Sequence, residues 1–146
     1  MAHTYHKLWI HLIWSTQDRH PFLTKDIRRD VFTHILTKAR EEGIYVDTIN
    51  GTADHVHCLL ELDPKQSLAK VVNDLKGESS HWINAQGVAK GRFAWQEGYS
   101  AFSYSESQVQ RVREYIKDQE QHHKKVSFQE ELERFLKAFK VEVGRP

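Results

Sequence analysis

The alternation of apolar and polar positions predicts where the strands of this chain lie. Between Tyr5 and Ser15 apolar residues recur at nearly every second position, which is the period of a β-strand. Two short runs, 44–51 and 55–62, flank a turn-like segment and predict an antiparallel hairpin. The aromatic-rich stretch from Phe93 to Tyr104 predicts further extended structure. These segments supply the strands of one sheet.

Apolar residues spaced three or four positions apart predict four helices. The first covers 24–42, and the second begins at Ser67 and ends before Gly87. The third runs from Ser105 to about His122, and the last follows Ser127. The order of elements, βαββα followed by strands and then helices, predicts an α+β fold: a ferredoxin-like antiparallel sheet with helices packed on one face. The other face of such a sheet is free to hold a ligand.

Length and composition narrow the class of protein only partly. A chain of 146 residues predicts a single domain over 1–146. With 21 Lys and Arg against 20 Asp and Glu, the net charge of +1 neither favours nor excludes a nucleic acid. The single cysteine, Cys58, rules out an internal disulfide. Because no apolar run approaches the length of a membrane span, we expect a cytoplasmic protein without a membrane partner.

His55 and His57 are the first candidate site residues. Side chains alternate along a strand, so both imidazoles leave the same face of the predicted strand, separated by the spacing of a metal-binding pair. Val56 and Cys58 point the other way, towards the core. Two half-exposed histidines without a ligand would give the same pattern, so the His-x-His pair alone is weak evidence for a metal site.

Tyr115 and Gln119 form a second pair on the third predicted helix. They are four residues apart and project together, beside the apolar stripe rather than opposite it. Gln119 can offer an amide oxygen to a hard cation, and Tyr115 offers a hydroxyl one turn away. A tyrosine at the edge of the core, hydrogen-bonded to a glutamine, is the alternative interpretation of the pair.

Three motifs together resemble a known family. They are Asp-His-Val-His-Cys-Leu-Leu at 54–60, Trp-Gln-Glu-Gly-Tyr-Ser-Ala-Phe-Ser-Tyr-Ser at 95–105 and Tyr-Ile-Lys-Asp-Gln-Glu-Gln-His-His at 115–123. In this order they resemble the single-tyrosine HUH transposases of the insertion-sequence 200/605 type, which include the tyrosine transposases associated with repetitive extragenic palindromes. The resemblance extends over nearly the whole chain.

The resemblance implies a reaction and a role for each candidate. His55, His57 and Gln119 would hold Mg²⁺ or Mn²⁺, and Tyr115 would attack single-stranded DNA beside a hairpin, leaving a 5′-phosphotyrosine that is later rejoined. The implied assembly is a homodimer in which the tyrosine of one subunit serves the histidines of the other, although the palindrome-associated relatives allow a monomer. Ala53 and Asp118 depart from the family's frequent proline and asparagine, and neither position carries chemistry.

The candidates for contacts with DNA phosphates are basic residues that occur in pairs or near the motifs. They are Arg28, Arg29, Lys70, Lys76, Lys90, Arg92, Lys124 and Lys125. For each of them an ordinary solvated surface position is the alternative.

Three other functions stay open at this point. Some HUH replication initiators and relaxases have two tyrosines one helical turn apart, whereas here Arg111 and Gln119 flank Tyr115 at that spacing, which argues for the transposase. A domesticated DNA-binding or nicking protein would keep the fold after losing mobility or activity. The intact set of His55, His57, Tyr115 and Gln119 argues against lost chemistry but does not address mobility. A small metal hydrolase would use the histidines and leave Tyr115 without a role.

Overall fold

A four-stranded antiparallel sheet forms the centre of the computed structural model, which describes residues 2–143. Its strands are β1 (Trp9–Ser15), β2 (Tyr45–Gly51), β3 (His55–Glu61) and β4 (Ser100–Tyr104), in the spatial order β2-β3-β1-β4. The predicted hairpin is confirmed as β2 and β3. Of the aromatic-rich stretch only its last five residues form a strand, although Trp95 also makes an isolated bridge to Thr16.

Within the described residues, five α-helices surround the sheet. They are α1 (Lys25–Glu41), α2 (Leu68–Gln86), α3 (Val109–Lys117), α4 (Gln119–His122) and α5 (Phe128–Ala138). The third predicted helix, from Ser105 to about His122, is a 3-10 turn at Glu106–Gln108 followed by α3 and α4, which are separated at Asp118, where φ is −95° and ψ is 15°. The first predicted helix is confirmed and is one residue shorter at each end. The helices predicted after Ser67 and Ser127 are confirmed as α2 and α5.

The larger core lies between one face of the sheet and the pair α1 and α2. Leu12 and Trp14 of β1 and Val56 and Cys58 of β3 point to this side. They meet apolar residues of the two long helices, among them Val31, Ile35, Val72, Leu75 and Ile83. The alternation of side chains in β1 and β3 therefore assigns the even-numbered positions to this core, as the sequence predicts.

The second face of the sheet is also covered, which corrects part of the predicted arrangement. The α+β class with an antiparallel sheet is confirmed, but only α1 and α2 lie on the predicted side. Val109, Val112 and Ile116 of α3 pack on Trp9 and Leu59 of the opposite face. Phe135 of α5 packs there too, with its ring 5.2 Å from that of Phe102. This face carries apolar side chains as well as histidines, so leaving it open would expose them to water.

Two contacts fix the β2–β3 hairpin beside the helices. At Gly51 an added Cβ would come within 2.2 Å of the carbonyl oxygen of His55, so only glycine permits this close approach of the strands. Asn50 pairs with His57 across the strands, and its side-chain amide donates to the carbonyl oxygens of Ile116 and Lys117 at 3.0 and 3.1 Å. The last turn of α3 is thereby attached to β2.

No helix within residues 2–143 combines the length and apolar character that a membrane span requires. The single-domain organisation over 1–146 and the location in the cytoplasm stay predictions.

Candidate active site

His55 and His57 lie fully buried on the second face of the sheet, beneath the C-terminal helices. Their rings are 5.2 Å apart and leave the same side of β3, as the alternation predicts. The expectation that this face is uncovered is wrong, because α5 lies over both imidazoles. Burial removes competing water from the two rings, so any partner they bind must come from the protein or from a ligand that enters beneath α5.

Glu131 of α5 is that protein partner. Its Oε1 atom lies 2.8 Å from Nε2 of His57, 3.4 Å from Nε2 of His55 and 3.2 Å from Nε2 of His123. Nε2 of His55 and Nε2 of His123 are 3.1 Å apart. One ligand atom from each of these four residues lies within 4.8 Å of the other three. Three imidazoles and a carboxylate so arranged can hold a metal ion.

Each imidazole of this cluster is oriented by a contact at its other nitrogen. Nδ1 of His55 lies 2.8 Å from a carboxylate oxygen of Asp54 and 2.9 Å from the hydroxyl of Thr52. Nδ1 of His57 lies 2.7 Å from Nε2 of His11, and Nδ1 of His123 lies 2.7 Å from the carbonyl oxygen of Val126. Such contacts at Nδ1 keep Nε2 directed at the cluster, as in the outer shell of many metal sites.

Burial and mutual contacts set the charge states of the cluster. Burial lowers the pKa of His57 to about 4, so this ring is neutral and its nitrogen is available near neutral pH. Burial opposes ionisation of Glu131, but the contacts with His123, His55 and His57 outweigh it and hold the pKa of the carboxyl far below its usual range. For His55, burial is outweighed by Asp54 and Glu131, which raise its pKa. The carboxylate is therefore charged throughout the physiological range.

Tyr115 reaches the same cluster from α3. Its hydroxyl donates a hydrogen bond to Oε2 of Glu131 and lies 3.2 Å from Nε2 of His122. Burial and the adjacent Glu131 carboxylate raise the pKa of the phenol, because both disfavour a second negative charge there. Tyr115 is half-buried and lines a cleft of about 280 Å³ with Tyr104, Arg134 and Phe139, so solvent and substrate have a route to it.

Gln119 is fully buried between the histidines and Glu131. Its Oε1 lies 3.4 Å from Nε2 of His55, and its Nε2 donates to Oε2 of Glu131 at 3.3 Å. The amide oxygen thus faces the imidazole that is predicted to share a cation with it. The four residues predicted to carry chemistry, His55, His57, Tyr115 and Gln119, are brought together within one chain.

A larger cleft opens on the other side of the cluster. Its volume is about 500 Å³, and its walls include His123, Lys124 and Phe128 together with Lys25 and Arg28 of α1. Because His123 belongs to both the cleft and the cluster, the cleft gives access to the candidate metal ligands. Its cationic side chains suit a polyanion, although Glu120 and Asp54 also line it.

The predicted phosphate contacts fall into two groups. Arg28 and Lys124 line the larger cleft, Arg29 lies exposed on a neighbouring one, and Lys125 lines a small cleft with His122. The remaining predicted residues, Lys70, Lys76, Lys90 and Arg92, belong to α2 or to the loop after it.

Two of these basic side chains have structural partners. Arg28 is buried, donates to the carbonyl oxygen of Leu23 at 3.0 Å and pairs with Glu120 at 2.7 Å. Lys76 donates to the carbonyl oxygens of Gln96 and Gly98 at 2.7 and 2.8 Å. Lys76 therefore attaches a loop to α2. Its ammonium group already has hydrogen-bond partners within the protein.

The sequence did not identify two residues of the cluster, His123 and Glu131, or the neighbouring His11. His11 is a polar residue inside an apolar strand, His123 continues the four-residue spacing of Tyr115 and Gln119, and Glu131 interrupts an apolar stripe on α5. Each pattern was a usable signal. Only the fold shows that α5 returns to the sheet and places its carboxylate over β3.

Comparison with known proteins decides the family. The sequence model of the family described as "Transposase IS200 like" matches residues 4–119. This chain belongs to that family. As an IS200-like transposase it is a DNA-cleaving and rejoining enzyme, and the transposase hypothesis is favoured over a replication initiator or a metal hydrolase.

The relatives of this transposase are other insertion-sequence proteins. It is 30% identical over 126 residues to the ISDra2 transposase TnpA of Deinococcus radiodurans, covering 78% of this chain and 85% of the relative. It is 27% identical over 124 residues to the IS200 transposase of Salmonella typhimurium, covering 82% and 81% of the two chains. These matches agree with the family that the three sequence motifs resemble.

Solved structures share the fold of the transposase. A crystal structure from Deinococcus radiodurans R1, of a protein assigned as a transposase, has a TM-score of 0.63 and 25% identity, covering 82% of this chain and 95% of that one. The structure of a REP-associated tyrosine transposase bound to a REP hairpin has a TM-score of 0.56 and 16% identity, covering 81% and 72%. The family match includes Tyr115 and Gln119 but ends before His123 and Glu131.

Proposed function

We propose that this transposase cuts and rejoins single-stranded DNA at hairpin-flanked ends, with Tyr115 as the nucleophile. The observation that carries the proposal is the position of the Tyr115 hydroxyl, which hydrogen-bonds the carboxylate that contacts His55 and His57. A phenol joined to a cluster of metal-binding side chains is poorly explained by packing alone.

The proposed reaction exchanges a phosphodiester bond between two nucleotides for a phosphodiester bond to tyrosine. The oxygen of Tyr115 forms a bond to the scissile phosphorus and loses its proton, while the bond from phosphorus to the 3′ oxygen breaks. The 3′ oxygen takes up one proton to become a free hydroxyl, which balances the proton that the phenol loses. The downstream strand stays attached through a 5′-phosphotyrosine, and attack by a 3′ hydroxyl reverses the step. Because the bond energy is retained in the adduct, no nucleotide triphosphate is needed.

We propose His55, His57 and Gln119 as ligands of a Mg²⁺ or Mn²⁺ ion. The neutral His57 and the amide oxygen of Gln119, 3.4 Å from Nε2 of His55, support this assignment. When bound, such an ion would withdraw charge from the scissile phosphate, which matters because a phenol with a raised pKa is a weak nucleophile. The closeness of these side chains to the phenol of Tyr115 would allow both to be positioned before substrate binds.

The proposed substrate is a hairpin with a flanking single strand. The REP hairpin held by the structurally similar transposase supports this choice, as does the cleft of about 500 Å³ beside His123. Lys124, which lines this cleft beside His123, and Arg29, which lines the neighbouring cleft, are proposed phosphate contacts. Shape rather than base sequence would supply much of the recognition, as in other proteins that bind folded nucleic acids.

The test is the formation of a covalent protein–DNA adduct. A labelled hairpin oligonucleotide with a flanking single strand is incubated with the protein and Mn²⁺, then separated under denaturing conditions. We expect an adduct with the wild type and none with Tyr115→Phe. Tyr99→Phe, which alters an exposed tyrosine away from the cluster, is the matched control and keeps the adduct. An adduct that persists in Tyr115→Phe refutes the proposed nucleophile.

A further inference from the structure

The carboxylate of Glu131 faces two parts of the candidate site at once. Oε1 contacts the imidazoles of His55, His57 and His123, whereas Oε2 accepts hydrogen bonds from Tyr115 and Gln119. Glu131 is 1% exposed and lies C-terminal to residues 4–119, the part of the chain that matches the family. No other described carboxylate belongs to the cluster of metal-binding donors.

The position of Glu131 is costly unless it serves a charged partner. On α5 it lies between Phe128 and Phe135, whose rings pack against His55 and His11 at 4.4 and 5.3 Å. A leucine or methionine at this position would extend the apolar stripe, whereas a buried carboxylate must be paired to be tolerated. A divalent cation held between Glu131 and the imidazoles of His55, His57 and His123 would pair with this charge.

The spacing of the donor atoms fits a shared ion. Ligand atoms bound at about 2.1 Å lie roughly 3.0 to 3.4 Å apart when they are neighbours around an ion. The distances from Oε1 of Glu131 to the three imidazole nitrogens range from 2.8 to 3.4 Å, and the two nitrogens of His55 and His123 are 3.1 Å apart. Small shifts would therefore suffice to place an ion among these atoms.

The combination of imidazole, carboxylate and amide donors at this site also favours hard cations. A site of imidazoles alone suits Zn²⁺, Cu²⁺ or Ni²⁺, whereas carboxylate and amide oxygens suit Mg²⁺ and Mn²⁺. One carboxylate leaves a net positive charge on the centre, so an incoming phosphate is still attracted. Its second oxygen stays available to hold the hydroxyl of Tyr115 beside the ion.

We propose that Glu131, together with His123, is a ligand of the catalytic cation, and that Glu131 also positions Tyr115 next to it. The inference rests on the proposed function, since it takes the cation at His55 and His57 as given, and extends its ligand set to α5. The competing interpretation is that Glu131 only fills the cation position and must leave when metal or DNA binds. The two interpretations predict opposite effects of removing its charge.

The affinity for Mn²⁺ in the absence of DNA distinguishes the two interpretations of Glu131. Titration calorimetry with Mn²⁺ on the full chain is expected to show one site in the wild type, and Glu131→Gln is expected to weaken it by at least about 10-fold to 100-fold, the loss seen even for outer-shell partners. Glu133→Gln, which alters an exposed carboxylate of the same helix outside the cluster, is the matched control and keeps wild-type affinity. Unchanged or tighter binding by Glu131→Gln overturns the proposal.

His123 is tested in the same way. His123→Asn is expected to weaken Mn²⁺ binding, whereas His81→Asn, at an exposed position of α2, leaves it unchanged. Equal affinities for His123→Asn and the wild type remove His123 from the ligand set.

A spectroscopic measurement on the wild type avoids any folding defect of the variants. With ¹³C at the glutamate carboxylates, pulsed electron paramagnetic resonance of bound Mn²⁺ is expected to show a ¹³C coupling, and its absence overturns ligation by Glu131. The ¹³C coupling does not depend on which residue is the nucleophile. If the adduct experiment refutes Tyr115 as the nucleophile, the coupling is still expected. If the wild type binds no Mn²⁺, the cation of the proposed function fails as well.

Discussion

Tyr115 and Glu131 are hydrogen-bonded within one chain, and the same carboxylate lies 2.8 Å from Nε2 of His57. The predicted nucleophile and the predicted metal ligands therefore meet without a second subunit. This relationship bears directly on the expected homodimer, in which tyrosine and histidines would come from different chains. A homodimer stays a prediction, but the arrangement favours chemistry completed in each chain.

Mixing two inactive variants distinguishes the arrangements. Tyr115→Phe keeps the histidines and His57→Ala keeps the tyrosine, so a site shared between subunits would be restored in mixed dimers. We expect no adduct from the mixture after co-refolding, because neither chain has a complete site. The measurement is the denaturing gel with labelled hairpin DNA and Mn²⁺. Recovery of an adduct to a substantial fraction of the wild-type yield would assign the site to two chains.

Metal removal is expected to lower the thermal stability. A ligand present at about 100 times its Kd adds about 2.7 kcal/mol to the stability of the folded state. For a chain of this size that corresponds to a rise in Tm of roughly 5 to 10 °C. Calorimetry with excess Mn²⁺ and then with EDTA checks this shift, with His57→Ala as the variant that lacks it. A Tm that ignores Mn²⁺ in the wild type would argue against a metal centre.

Alanine substitutions of Lys76 and Lys124 are expected to affect different properties, the first stability and the second DNA binding. Lys76→Ala removes two charged hydrogen bonds to the loop at Gln96 and Gly98, so we expect a loss of about 1 to 3 kcal/mol in the free energy of unfolding. Lys124→Ala leaves stability unchanged and weakens DNA binding with a shallower salt dependence, because one phosphate contact is lost. Urea unfolding and hairpin binding at several salt concentrations measure both. Identical profiles for the two variants would contradict the assignment.

Acid is expected to destabilise the chain through His57. Burial lowers the pKa of this ring from 6.5 to about 4, so between these values the unfolded chain binds more protons than the folded chain. Stability contributed by the neutral ring is therefore present above about pH 6.5 and is lost as the pH falls towards 4, by on the order of 3 kcal/mol. His55, whose pKa is raised, acts in the opposite direction.

Comparison of variants isolates the contribution of His57. Urea unfolding of His57→Gln in EDTA is expected to depend less on pH between 6.5 and 4.5 than unfolding of the wild type. His81→Gln, on the exposed surface of α2, serves as the control with wild-type pH dependence. A wild-type slope in His57→Gln would mean that other groups govern acid unfolding.

Local patterns were sufficient for the parts of the fold that depend on near neighbours. The alternation in β3 correctly separates His55 and His57 from Val56 and Cys58, because the side-chain period of a strand is two. The four-residue spacing of Tyr115 and Gln119 likewise predicts that both face one site, and their contacts with Glu131 agree.

Contacts between distant segments were not predictable in the same way. Glu131 is separated from His57 by 74 residues, and nothing in the pattern of α5 indicates which face of the sheet it covers. The same limit explains Lys76, which is a surface lysine by sequence and becomes a loop anchor only when residues 96–98 return to α2. Sequence spacing identifies residues that lie on the same face of one helix or strand. Whether such a residue lies on the surface or in a functional site depends on tertiary packing.

The attachment of α3 to β2 through Asn50 has a mechanical consequence. Asn50 is the cross-strand neighbour of His57 and also holds the last turn of the helix that carries Tyr115. A displacement of β2 at Asn50 is therefore expected to shift the imidazole of His57 and the phenol of Tyr115 together. The separation of these two side chains is restrained from β2 as well as by the carboxylate of Glu131.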